Sequence, residues 1–312
     1  MLFVSFIVEW FLVQIDDICG QRKELKLAAD NQKIFVSDLD GTLLRGVGTL
    51  SDYSRTVLTE LLQNGVQFTV ASARAWSEIT PVLGDLPLRL PIIAINGAYL
   101  TDYATGNHLV INDIEHSLAT AVYQHILKGQ LLPFIVTHNG TEDCLYWQDL
   151  KNEQMQWYHD ILHVHKDQRI RRIEDLKHAL AEKVIAFAVM GPRETVTALS
   201  ELLADEYPGL LENFLFENPY SPGHWWLTIH DQRACKSKAI RTLVEMTGHN
   251  LANLTVFGDH INDIKMFQLA NRAIAVANAE LEVKAVADEI IGSNDDDAVV
   301  KYMLQEYRDM KT

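Results

Sequence analysis

Two short acidic runs carry the most chemical information in this 312-residue chain. Asp38-Leu39-Asp40-Gly41-Thr42 follows the apolar run Ile34-Phe35-Val36, and Gly258-Asp259-His260-Ile261-Asn262-Asp263 follows Leu254 to Phe257. Acids one residue apart at a strand end can aim one carboxylate and one backbone carbonyl at the same point. An isolated pair of this kind reads equally well as an acidic loop. Its place directly after a buried strand gives it weight, because open parallel sheets collect their ligands at the carboxyl ends of their strands. Ser72, after the run Val66 to Ala71, and Lys236, at the start of a helical period, stand at matching positions. The sequence contains no G-x-S-x-G elbow, no G-x-x-x-x-G-K-S/T loop and no G-x-G-x-x-G turn, which removes the signatures of the main rival chemistries.

The elements that must position these groups alternate between short β-rich runs and helical periods, the pattern of parallel βα units. Ile34 to Val36 predicts a buried strand. Tyr53, Val57, Leu58, Leu61 and Leu62 then recur at helical spacing behind Ser51, a suitable N-cap, and Asn64-Gly65 ends that helix. Val66 to Ala71 predicts a strand, Ala75 to Leu83 a helix bounded or kinked by Pro81, and Pro91 to Ile95 a third strand closed by Asn96-Gly97. The alternation loosens between 98 and 222, with turn signals at Asn139-Gly140 and Pro222-Gly223, and this stretch reads as an inserted second domain. It resumes with a helix over Lys236 to Met246, stopped at Gly248, then a strand at Leu254 to Phe257, a helix at Asp263 to Leu269, a strand at Ala273 to Ala277 and a helix at Glu280 to Ala287. The expected domains are therefore a core from 33–97 and 223–312 and an insert from 98–222. Asp295-Asp296-Asp297 reads as a solvated loop or helix start.

Composition bounds the function. Hydrophobic residues make up 48% and charged residues 22%, as in ordinary globular chains, and the formal charge of −15 repels phosphate backbones and anionic lipid, so nucleic-acid and membrane-surface partners are not expected. Cys19, Cys144 and Cys235 are far apart with no C-x-x-C pair, which fits a reducing cytoplasm. The apolar start of the chain is interrupted by Glu9, Asp16 and Asp17, too soon for a spanning helix, which takes about 20 uncharged residues. Residues 1–32 read as an N-terminal appendage, either a docking helix or a tail.

Four ordered motifs, Asp38-Leu39-Asp40-Gly41-Thr42-Leu43-Leu44, Ala71-Ser72-Ala73-Arg74, Lys236-Ser237-Lys238-Ala239-Ile240 and Gly258-Asp259-His260-Ile261-Asn262-Asp263, resemble those of the haloacid dehalogenase (HAD) superfamily of aspartyl-phosphate phosphatases. Ile95-Asn96-Gly97-Ala98 and Ala277-Asn278-Ala279 are similar to core segments of its Cof-type sugar-phosphatase branch. The resemblance spans roughly residues 33–305 as an ordered set. It implies an α/β fold: a Rossmann-like parallel sheet with a mobile α/β cap of the Cof (C2) type inserted after the third strand.

The resemblance implies Asp38 as nucleophile, and the chemistry agrees: a carboxylate attacking phosphorus makes an acyl phosphate that water later opens. Phosphate and the carboxylates of Asp38, Asp40, Asp259 and Asp263 repel one another, so a hard divalent cation, Mg²⁺, is implied. Its implied ligands are the Asp38 carboxylate, the Asp40 carbonyl and the Asp259 carboxylate, with Asp263 holding bound water or Lys236. The Asp40 side chain is left to act as general acid and then base, which needs a carboxyl raised by crowding among acids. Lys236 and Ser72 would steady the phosphoryl oxygens, and Thr42, Arg74 and Asn262 complete the implied substrate contacts, Arg74 being equally suited to a surface ion pair. Ser72-Ala73-Arg74 lacks the glycine usual in that motif, and Ser237 stands where a glycine normally follows the lysine.

Other groups suggest packing. His159 and His163 have metal-gripping i, i+4 spacing but no carboxylate or cysteine in register, so a solvated helix face is expected. Trp157-Tyr158 and Trp225-Trp226 are expected to pack a core, and Cys235 to be a buried small residue. The expected function is Mg²⁺-dependent hydrolysis of a small phosphorylated metabolite, a sugar phosphate by resemblance, with residues 98–222 setting specificity. A phosphotransferase or phosphomutase and a catalytically silent metabolite-binding scaffold are the alternatives. A dehalogenase fits less well, because that branch carries an aromatic residue where Asp40 stands. The oligomeric state is left open.

Overall fold

The computed structural model describes residues 32–218 and 223–311, so the expected appendage and Pro222 lie outside the described residues, Gln32 apart. The described residues divide into two compact units, one formed by residues 32–71, 82–91 and 240–311 and the other by residues 72–81, 92–218 and 223–239. These bounds do not coincide with the expected 33–97, 98–222 and 223–312, since 72–81, 92–97 and 223–239 cluster with the second unit.

The first unit is built on a five-stranded parallel sheet. Its strands are β1 (Ile34–Ser37), β2 (Gln67–Val70), β12 (Leu254–Gly258), β13 (Arg272–Ala275) and β14 (Glu289–Ile290), in the order β14-β13-β12-β1-β2. β1 and β12 are buried along their whole length, as expected of central strands covered on both faces. In register, Ser37 lies opposite Phe257 on one side and Val70 on the other, so the carboxyl ends of these strands finish together.

The helix Asp52–Gln63 starts where Ser51 accepts a hydrogen bond from the Ser54 amide and buries Val57, Leu58, Leu61 and Leu62. Tyr53 departs from the expected apolar face: it is 42% exposed, with Lys301 over its ring. Asp297 is the helix start that the acidic run allowed, at the N-cap of the last helix, although it is buried there. Its carboxylate accepts from Arg45, Ser51 and Ser54 at 2.5 to 3.0 Å, tying the last helix, Ala298–Asp309, to the first half of the chain. Burial works against the charge of Asp297, but hydrogen bonds from Arg45, Ser51 and Ser54 hold its carboxyl below the ordinary value.

The second unit contains β3 (Ile92–Ala94), β4 (Tyr99–Thr101) and β5 (His108–Ile111) as a small antiparallel sheet. β3 is the strand expected after Pro91; the Ser72 amide donates to its Ile93 carbonyl at 2.9 Å, and it pairs antiparallel with β4. The cause is local: Ile95, Asn96 and Gly97 all take positive φ, which reverses the chain within three residues. A six-stranded sheet, β10-β11-β9-β6-β7-β8, comprises β6 (Pro133–His138), β7 (Asp143–Trp147), β8 (Ile170–Arg172), β9 (Lys183–Gly191), β10 (Leu211–Glu217) and β11 (Trp225–Asp231). Helices His116–Lys128 and Arg193–Glu206 bring Val122, Ile126, Val196 and Leu203 into one core with Phe187, Val189 and Leu227 from the sheet. Tyr158 and Trp157 pack edge-on against Trp226, whose indole donates to Gln154, so these aromatics pack against one another as expected.

Candidate active site

The strand register sets the first acid. The Asp38 amide donates to the Phe257 carbonyl at 2.9 Å, carrying the β1–β12 ladder one residue past Ser37, beside the point where Gly258 hands the chain to Asp259. Leu39–Leu43 then form a single wide turn, closed by the Leu44 amide on the Leu39 carbonyl at 2.9 Å and pinned by buried Leu39, Leu43 and Leu44. Gly41 sits at φ +76°, and a Cβ there would lie 2.3 Å from Oδ2 of Asp259. Both the left-handed backbone and this close approach call for glycine. The next residue secures the same acid: the Thr42 hydroxyl donates to Oδ1 of Asp259 at 2.6 Å.

Carboxylate oxygens of Asp38, Asp259 and Asp263 lie within 4.8 Å of one another. Asp38 is 7% exposed and Asp263 fully buried. Asp263 organises the second acidic run: its Oδ2 accepts from the Asp259 amide at 3.0 Å and the His260 amide at 3.1 Å. A Cβ at Gly258 would lie 2.6 Å from that oxygen, which explains the glycine that opens the run. Asn262 sits half-buried in the 3-10 turn Ile261–Asp263, and Asp40 is exposed in the turn after β1. Oxygen-only donors, clustered with like charge and partly withdrawn from water, suit a hard divalent cation and little else.

The remaining expected residues are counted with the second unit. Ser72 is buried, its amide donates to the Ile93 carbonyl at 2.9 Å, and its Oγ accepts from the Arg74 amide at 3.1 Å. Lys236 is 1% exposed at the first residue of the helix Lys236–Thr247. Cys235 before it is buried, with its sulfur 3.3 Å from the Ser237 hydroxyl.

Sequence reasoning overlooked the residues that brace the Gly41 turn. The Asn278 side chain donates to the Gly41 carbonyl at 2.7 Å, and its Oδ1 accepts from the Asn294 amide at 3.0 Å. The Asn294 side chain in turn donates to the Leu44 carbonyl at 2.9 Å. Asn278 stands in the Ala277-Asn278-Ala279 segment singled out above, but Asn294 adjoins an acidic run and gives no local signal.

A family model described as haloacid dehalogenase-like hydrolase matches residues 35–303. The chain is 26% identical over 282 residues to the pyridoxal phosphate phosphatase YbhA of Escherichia coli, covering 87% of this chain and 97% of that protein. It is 23% identical over 275 residues to the 5-amino-6-(5-phospho-D-ribitylamino)uracil phosphatase YitU of Bacillus subtilis, covering 86% and 95%. In fold it is similar to a haloacid dehalogenase-like hydrolase from Bacteroides thetaiotaomicron, with a TM-score of 0.71 at 21% identity over 88% of this chain and 99% of that one. With its acids gathered at the carboxyl ends of adjacent parallel strands, the chain belongs to the haloacid dehalogenase-like hydrolase family and is a phosphoric monoester hydrolase of that superfamily.

Proposed function

We propose that the chain hydrolyses a small phosphorylated metabolite of the sugar-phosphate class, as in the Cof-type branch, through a phosphoenzyme on Asp38. One observation carries this reading: Asp38, Asp259 and Asp263 converge beside a glycine turn that leaves Asp40 two residues from the nucleophile. The sugar-phosphate class is supported by YitU, whose named substrate carries its phosphate on a ribityl chain, while YbhA, whose named substrate is pyridoxal phosphate, supports the broader class of small phosphorylated metabolites.

Mg²⁺ fits the donor set, held by Asp38, Asp259 and the Asp40 carbonyl, and when bound it supplies positive charge that offsets repulsion between phosphate and carboxylates. The Asp38 carboxylate oxygen forms a bond to phosphorus as the bond to the leaving alcohol oxygen breaks, and Asp40 gives that oxygen its proton. Asp40 then removes a proton from water as the water oxygen attacks phosphorus, breaking the bond to Asp38 and releasing inorganic phosphate. Lys236 and Ser72 steady the phosphoryl oxygens, Thr42, Arg74 and Asn262 assist binding, and residues 98–222 act as the cap that selects the leaving group.

An Asp38→Asn variant tests the reading. An amide cannot form the acyl phosphate, so kcat on p-nitrophenyl phosphate should fall by roughly 10⁴-fold or more with the fold intact. Activity near that of the natural chain would overturn it. A panel of phosphorylated sugars, nucleotides and cofactors then ranks kcat/KM, and phosphate release that is unchanged by added acceptor sugars separates hydrolysis from phosphoryl transfer.

A further inference from the structure

A second group of ligating side chains lies in the other unit, on three strands of two sheets. His108 begins β5, His138 ends β6 and Asp143 begins β7; His138 and Asp143 are direct register partners across the β6–β7 hairpin. Nε2 of His108 lies 3.1 Å from both Asp143 oxygens, and Nδ1 of His138 lies 3.0 Å from Oδ1. The Tyr99 hydroxyl donates to the same Oδ1 at 2.8 Å. The side chains are nearly enclosed, at 7% exposure for His108, 13% for His138 and 14% for Asp143.

We propose that His108, His138 and Asp143 form a second metal site, suited to a divalent transition ion of the zinc class. Three ligands on ordered strands hold their Cβ atoms in place before any ion arrives, which lowers the ordering cost of binding. Tetrahedral nitrogen and oxygen ligands about 2.0 to 2.1 Å from a common ion stand about 3.3 to 3.4 Å from one another, so the contacts of 3.0 and 3.1 Å between carboxylate and imidazoles need widen by only a few tenths of an ångström to admit it. The donor set matters as much as the spacing. Two imidazoles and one carboxylate favour zinc and its neighbours in the first transition row, whereas the all-oxygen cluster at β1 and β12 favours magnesium. One protein can therefore sort two kinds of ion.

The surroundings of His108 support this reading. Its Nδ1 lies 2.8 Å from the Thr101 hydroxyl, a group that donates or accepts by rotating its proton. With an ion on Nε2, Nδ1–H donates to Thr101; without one, Nε2–H donates to Asp143 and the threonine donates to Nδ1. Both states leave every ring nitrogen of His108 satisfied, and the threonine is the outer hydrogen-bond partner that metal-binding imidazoles ordinarily have. The Tyr99 ring lies 3.8 Å from the His108 ring at an interplanar angle of 4°, fixing the imidazole plane. Three coordinated side chains leave a position for water or a ligand atom, as in open zinc sites.

The full-length chain, carrying His159→Ala and His163→Ala to remove the helix pair and held in excess Mg²⁺, is titrated with Co²⁺ and then Zn²⁺. The expected result is one Co²⁺ per chain with visible bands of mixed nitrogen and oxygen ligation, displaced by Zn²⁺ and unaffected by Mg²⁺. His108→Gln or His138→Gln should weaken Zn²⁺ binding at least 100-fold and abolish the rise in Tm that Zn²⁺ gives; Thr101→Val should weaken it about 10-fold. Asp38→Asn should leave it unchanged, which keeps this outcome separate from the catalytic reading. If the histidine variants fail to fold, pulsed electron paramagnetic resonance of the Cu²⁺-loaded parent decides the matter, with two imidazole nitrogens expected. Zn²⁺ affinity unchanged in the folded histidine variants, oxygen-only coordination, or no ion retained overturns the proposal and leaves a hydrogen-bonded cluster around Asp143.

Discussion

Thr42 and Asp259, 217 residues apart in sequence, are joined by a 2.6 Å hydrogen bond from hydroxyl to Oδ1. The bond orients one carboxylate of the acid cluster from the turn that carries Asp40. Thr42→Val keeps the volume and deletes the donor, so Asp259 loses one of the contacts that orient it. Loss of an outer partner of this kind costs about 10- to 100-fold in metal affinity or activity. The expected signature is a raised Mg²⁺ requirement with kcat largely restored at saturating Mg²⁺, and Thr42→Ser should recover most of the difference. Equal Mg²⁺ titrations for Thr42→Val and the natural chain would show that this hydrogen bond does not position a metal ligand.

Gly41→Ala probes the close approach on the other side of the same carboxylate. The new methyl would lie 2.3 Å from Oδ2, at φ +76°. Strain at a left-handed position costs about 1 to 3 kcal/mol, and here the acid must also move. Gly65 makes the control, since φ is +90° there but nothing lies within 4 Å of an added Cβ. Both variants should lose stability in denaturant titrations, while only Gly41→Ala should lose activity at temperatures where both remain folded.

Chelation tests the charge argument directly. EDTA should abolish phosphate release, Mg²⁺ should restore it, and Ca²⁺ should restore little, because its longer bonds and higher coordination number do not reproduce a compact octahedron. Full activity in excess EDTA would show that the carboxylates need no bound cation.

The convergence of Asp38 and Asp259 is legible in the sequence alone, and the reasons are local. Ile34 to Val36 and Leu254 to Phe257, apolar apart from Thr255, lead within two residues to Asp38 and Asp259, and buried parallel strands are written as near-continuous apolar runs of this kind. Helix stops at Asn64-Gly65 and Gly248 are equally local, both glycines taking positive φ. What escapes is long-range. Asp297 sits in a run of three acids that reads as a solvated loop or helix start; its burial is not legible, because its partner Arg45 lies 252 positions away. His108, His138 and Asp143 have no motif spacing, because two sheets bring them together. The antiparallel pairing of β3 depends on three consecutive positive φ values, two of them at non-glycine residues that composition does not mark.

His230 shows how a buried base makes stability depend on pH. It lies on β11, 2% exposed, edge-on to Phe214 at 5.7 Å, and among the described residues neither ring nitrogen has a hydrogen-bond partner. Burial disfavours the charged imidazolium and pulls its pKa from 6.5 down to about 4. The folded state therefore binds fewer protons than the unfolded state between those values. Its contribution is full above pH 6.5 and is lost as pH falls toward about 4, amounting to on the order of 3 kcal/mol. Urea titrations at steps across that interval should show stability falling with acid in the natural chain. In His230→Leu, which keeps the apolar packing and removes the titrating ring, the fall should be shallower, and the variant should be no less stable than its parent at the acid end. An identical pH slope in the two proteins would show that the ring already reaches a proton acceptor or water when folded.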